Sequence, residues 1–157
     1  MSNVIPLNRQ KFKGFFSYTN QDENGIEFEE SVNFEMELEF NQGSFKGTTI
    51  DEETKDLFNE PITVEGFIED EMINFVVTYP NNYYFDLEQN KLVVEKNKAY
   101  PGCEYLGSYN KDSNKFEGEW RLPIEQNNIG SLQTDYTELY DSGNWEMKRI
   151  SEAQQAL

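Results

Sequence analysis

Between residues 32 and 40 the chain reads VNFEMELEF. Val32, Phe34, Met36, Leu38 and Phe40 alternate with Asn33, Glu35, Glu37 and Glu39. A period of two places the apolar side chains on one face of an extended strand and the polar ones on the other. A helix would scatter the same apolar residues around its whole circumference. This stretch therefore demands a sheet with one buried and one wet face. Residues 27–40 read as a single long strand, bent near Glu30-Ser31.

The same period recurs along the chain. Phe12, Gly14, Phe16 and Tyr18 share a side, as do Ile62, Val64, Gly66 and Ile68, and Ile73, Phe75, Val77 and Tyr79. Residues 45–50 form a short strand that runs into the acidic Asp51-Glu52-Glu53, and 92–94 are a short apolar run. Tyr105, Gly107 and Tyr109 align, as do Phe116, Gly118, Trp120 and Leu122, and Trp145 and Met147 close the series. Turn formers separate these runs: Asn24-Gly25, Glu69-Asp70-Glu71, Asn81-Asn82, Pro101-Gly102, the polar stretch 110–114 and Ser142-Gly143. Residues 51–60 make the longest acidic loop, with room for a helical turn. Residues 131–140 are ambiguous, and 151–157 read as a short helical tail after a single domain over 1–150.

Some eight to ten short strands joined locally point to an all-β fold, a sandwich or a barrel. Short links favour pairing in sequence order, and closure removes the exposed edges of a long meander. The expected fold is an antiparallel meander β-barrel; the alternative is a Greek-key β-sandwich. Apolar residues are only 36% of the 157, but aromatics are 15%, with 12 Phe, 9 Tyr and 2 Trp. Each ring can bury about 150–250 Å², so a substantial core is within reach.

The net charge is −17 and there is no histidine. Such acidity opposes nucleic-acid binding through phosphate contacts and docking on anionic membranes. Lack of histidine removes Ser-His-Asp and Cys-His catalysis and histidine metal ligands. Cys103, the single cysteine, excludes an intrachain disulfide. It follows Pro101-Gly102 in an expected loop, and Glu104 beside it raises a thiol pKa, so an incidental thiol is expected. No stretch approaches the ~20 apolar residues of a membrane helix. The first ten residues lack a signal-peptide apolar run, so a cytoplasmic protein is expected.

An aromatic-x-Gly pattern appears at Phe12-Lys13-Gly14, Phe45-Lys46-Gly47, Tyr105-Leu106-Gly107 and Phe116-Glu117-Gly118. In a strand that Gly shares a face with its aromatic neighbour. It leaves room for a ring from the next strand or for a sharp bend of the sheet. With residues 12–18, the 105–120 segment and Gly143-Asn144-Trp145-Glu146-Met147, the chain resembles calycin-like barrels, the group of lipocalins and streptavidin-type proteins. Lipocalins carry Gly-x-Trp on the first strand; here it falls on the last. The resemblance implies a cavity able to hold a small molecule.

The expected interior set, and hence the candidate ligand contacts, are Phe34, Met36, Phe75, Tyr105, Phe116, Trp120 and Trp145. Arg149, on the parity of Trp145 and Met147, is expected to close one end of the barrel by stacking on a ring, with ligand contact as a lesser role. The leading expectation is a non-enzymatic binding protein with a small apolar ligand in the barrel. Small barrels can instead be filled by their own side chains. The alternative is an interaction module whose acidic row, Glu35, Glu37 and Glu39, meets a basic protein partner. No motif supports an enzyme, a cofactor or a metal. The alternation places no carboxylate inside the barrel, and a buried Glu with a raised pKa would reopen catalysis. Residues 20–31 partly imitate a calcium loop. Its twelfth position is Ser31, where a bidentate Glu is required, so a hairpin is expected there.

Overall fold

The computed structural model describes residues 8–21, 24–123 and 140–150. They form β1 (Asn8–Gln21), β2 (Glu27–Asn41), β3 (Ser44–Asp51), β4 (Ile62–Glu69), β5 (Met72–Thr78), β6 (Asn82–Asp86), β7 (Lys91–Glu95), β8 (Cys103–Asn110), β9 (Lys115–Pro123) and β10 (Tyr140–Arg149). Eight of these close an antiparallel barrel in the order β1-β10-β9-β8-β5-β4-β3-β2. Each strand pairs with its successor, except that β6 and β7 leave the barrel as a separate hairpin between β5 and β8. Among the described residues no helix is long and apolar enough to cross a membrane.

The long strand expected over 27–40 is β2. Val32, Phe34, Met36 and Leu38 are buried, and the residues between them face outward. Ser31 lies inside β2, opposite Ser17, so residues 27–31 extend the ladder rather than fold back as a cation-binding loop. Cys103, expected in a loop, is the buried first residue of β8, because Val77 on β5 pairs with it and extends the sheet by one position. Residues 82–86, with no strand expected, pair with the apolar run at 92–94 to form the β6–β7 hairpin. The acidic stretch after β3 makes turns over residues 52–57, closed by the Leu57 N–H donating to the Thr54 carbonyl at 2.9 Å. The ambiguous stretch at 131–139 and the expected helical tail at 151–157 lie outside the described residues.

The two ends of the barrel differ. At one end the connections are tight. Gln42-Gly43 links β2 to β3 with φ of 53° and 96°, and Asp70-Glu71 links β4 to β5 with Asp70 at φ 58°. At residues 111–114, Asn110 Oδ1 accepts the Asp112 N–H at 3.0 Å. Positive φ at paired turn positions matches the twist of the flanking strands. The Gln42-Gly43 turn escapes a search for Asn-Gly and Asp-Gly pairs. At the other end lie the turns after β3 and the β6–β7 excursion. This end carries the candidate site.

Candidate functional site

The aromatic rings divide along the barrel axis. At the tightly turned end they plug the interior. Phe12 packs on Phe40 and Phe116, with ring centres 6.3 and 6.2 Å apart, and Phe40 on Phe45 at 5.2 Å. Phe75 then meets Phe45 at 6.0 Å, Trp145 at 5.3 Å and Tyr105 at 4.8 Å, the last a stacked pair. Above this plug the rings line a wall instead of filling a core. Tyr79, Tyr83 and Tyr100 group with centres 4.7–6.0 Å apart, and Phe16 meets Trp120 edge-on.

These walls enclose a cavity of about 590 Å³ at the barrel mouth, within the size range of small-molecule sites. The barrel contributes Phe16, Tyr18, Glu30, Cys103, Tyr105, Trp120 and Leu122; the loops and the hairpin contribute Glu53, Tyr79, Tyr83, Phe85, Leu92 and Tyr100. No lysine or arginine is among these lining residues. Phe85 and Leu92 are cross-strand partners on the β6–β7 hairpin, so the excursion supplies one apolar wall.

Beneath the cavity lies a buried carboxylate. Asp51, at the end of β3, is 2% exposed. It accepts the Tyr79 hydroxyl at 2.6 Å, and the Thr54 amide and hydroxyl at 2.7 and 2.9 Å. This corrects the expectation of a carboxylate-free interior. Asp51 continues the inward parity of Phe45, Gly47 and Thr49, and its hydrogen bonds offset the cost of burying it.

The rim holds a second polar group. The Tyr18 hydroxyl lies 2.7 Å from Glu30 Oε2 and 2.7 Å from Glu53 Oε2. Burial, then these contacts, push the Tyr18 phenol well above the ordinary tyrosine value. Burial also raises the pKa of Glu53; the Tyr18 hydrogen bond opposes this, and the charges of Asp51 and Glu30 add to it. Burial raises Tyr79, Tyr83, Tyr100 and Tyr105, so all four remain neutral phenols. Burial also takes the Cys103 thiol up to about 12, with the Tyr100 hydrogen bond opposing and the Glu104 charge adding. A thiol so held is protonated and a poor nucleophile.

Of the residues expected to contact a ligand, Tyr105 and Trp120 line the cavity. Phe34 and Met36 lie beneath it, around a void of about 10 Å³, at the size limit for one water. Phe75 and Trp145 are buried in the plug, and Phe116 sits at its far end beside Phe12 and Tyr109. Arg149 is exposed where β10 runs off that end, opposite Phe12 in register. The glutamate row is outside the barrel, and the register sets Arg9, Lys11 and Lys13 of β1 opposite Glu39, Glu37 and Glu35. Arg9 reaches Glu39 at 2.6 Å.

Sequence reasoning missed Tyr83, Tyr100 and Glu53, because they sit in the excursion or in connections where a period of two says nothing. Glu30 instead lies in β2 on the inward parity of Val32 and Phe34, and was passed over as a charged residue. The available signal was the density of tyrosine at 79, 83 and 100 flanking one excursion. No protein-family model matches the chain, and no curated protein matches it significantly. The fold and the cavity together define the class: a closed eight-stranded antiparallel barrel, plugged at one end and hollow at the other.

Proposed function

We propose that this chain is a calycin-like binding protein that takes one small, largely apolar molecule into the mouth of its barrel. The observation that supports this reading most is the division of the aromatic rings. The same side-chain types that fill one end leave about 590 Å³ open at the other. Apolar walls with a few converging polar groups are the usual make-up of such sites. Tyr18, Glu30, Glu53 and Tyr105 are the polar groups here. The protonated Cys103 and the neutral tyrosines act as wall and not as reagents. Glu53 does hold its proton more tightly than usual, but its partners are Tyr18, Glu30 and Asp51. Binding accounts for that arrangement without a reaction.

A neutral apolar dye such as Nile red tests this reading. Titration should raise and blue-shift the dye emission while quenching tryptophan, with saturation at one dye per chain. Leu122→Trp, which puts bulk into the cavity wall, should weaken the dye at least fivefold. An unchanged dye spectrum, or a response indifferent to Leu122→Trp, would contradict the proposal.

A further inference from the structure

The rim contacts are one hydrogen short whenever Glu53 is a carboxylate; among the rim groups only a proton held on Glu53 itself would fill the gap. Tyr18 carries a single hydroxyl hydrogen, yet its oxygen lies 2.7 Å from a carboxylate oxygen of Glu30 and from one of Glu53. Whichever carboxylate receives the hydrogen, the other faces a lone pair. A donor arriving from the cavity would satisfy both. A second observation, on the cavity floor, calls for a polar group of a ligand of either kind, donor or acceptor. Tyr105 is only 5% exposed and lines the cavity, and its hydroxyl has no hydrogen-bond partner among the described residues.

Resting on the binding role proposed above, we infer that the ligand is an organic cation, an amine or ammonium group on an apolar body. The ammonium sits at the rim between Glu30 and Glu53, and the body lies among the rings below. An ammonium brings up to three N–H donors to acceptors that lack them. Tyr79, Tyr83, Tyr100 and Trp120 supply the apolar wall for the body. Among the described residues no basic side chain lines the cavity to receive a carboxylate or phosphate. The net charge of −17 draws cations toward the mouth and repels anions. A bare metal ion fits less well, because among the described residues no three acidic or cysteine side chains cluster to hold one.

Three probes of one chain length, decylamine, decanol and decanoate, separate this inference from the binding role itself. Each is titrated by calorimetry below its micelle concentration at neutral pH. The amine should bind at least tenfold more tightly than the alcohol, and decanoate should bind weakest. Glu53→Gln and Glu30→Gln keep a polar group beside Tyr18, so each should weaken the amine about tenfold and the alcohol by no more than about twofold. Equal affinities, or a preference for decanoate, would overturn the cationic ligand while leaving the binding role standing. If none of the three binds, both proposals fail.

Discussion

Trp120 and Trp145 each lie across a glycine on the neighbouring strand and reach the strand beyond it. Trp120 on β9 faces Gly143 on β10, and its indole N–H donates to the Ser17 carbonyl on β1 at 2.9 Å. Trp145 on β10 faces Gly118 on β9, which itself faces Gly107 on β8, and its indole donates to the Leu106 and Glu119 carbonyls at 3.3 and 3.1 Å. The strands bend so tightly there that a Cβ on Gly107 would lie 2.3 Å from the Glu117 carbonyl oxygen and 2.8 Å from the Trp145 ring. Gly107→Ala should therefore destabilise the fold by about 1–3 kcal/mol, the usual cost of overpacking, measured by chemical denaturation. Glu53 gives a prediction of its own. Its proton is held more tightly in the folded chain than in the unfolded one. The resulting stabilisation is complete below the ordinary 4.5 and is lost as pH rises through the higher folded value. Glu53→Gln cannot ionise, so its Tm should exceed that of the native protein at neutral pH, and the gap should close on acidification below 4.5. A thermal-melt series against pH checks this.

At the scale of elements, the barrel strands were legible in the sequence and the site only in part, through Tyr105 and Trp120. In β2 the inward residues alternate with polar ones, so burial follows the written pattern, and in β4 and β5 the same period holds although Phe67, Met72 and Val76 face outward. The aromatic-x-Gly pattern also carried over, because close strand approach leaves no space for a Cβ at Gly14, Gly47, Gly107 and Gly118. Pairing register is different. That Arg9, Lys11 and Lys13 face Glu39, Glu37 and Glu35 depends on how two distant segments align, which neither segment states alone. Cross-strand pairs of opposite charge contribute roughly 0.2–1 kcal/mol each. The β6–β7 hairpin was only half visible, because β6 reads NYYFD and lacks alternation. Its role is to wall the cavity with Phe85 and Leu92. Replacing both by Ser should weaken Nile red several-fold with little change in Tm, since Phe85 is 50% exposed and exposed sites seldom move stability much. Below the cavity, Asp51→Ala strands the Tyr79 hydroxyl and the Thr54 amide. It should cost about 1–3 kcal/mol in urea unfolding.

The molecule as a whole is polarised along the barrel axis, with tight turns and stacked rings at one end, and longer connections, carboxylates and an open cavity at the other. This polarity predicts which of two tryptophans senses a ligand. Trp120 lines the cavity, and Trp145 is 2% exposed in the plug beneath it. Both indoles donate hydrogen bonds, so each should give its own N–H resonance, assigned with a Trp120→Phe variant. The decisive measurement follows both resonances in the native protein by nitrogen-15 correlation NMR during titration with decylamine, then with decanol. The Trp120 resonance should move to saturation while that of Trp145 stays in place. Movement of Trp145 alone, or of neither resonance, would contradict a ligand site at the mouth of the barrel.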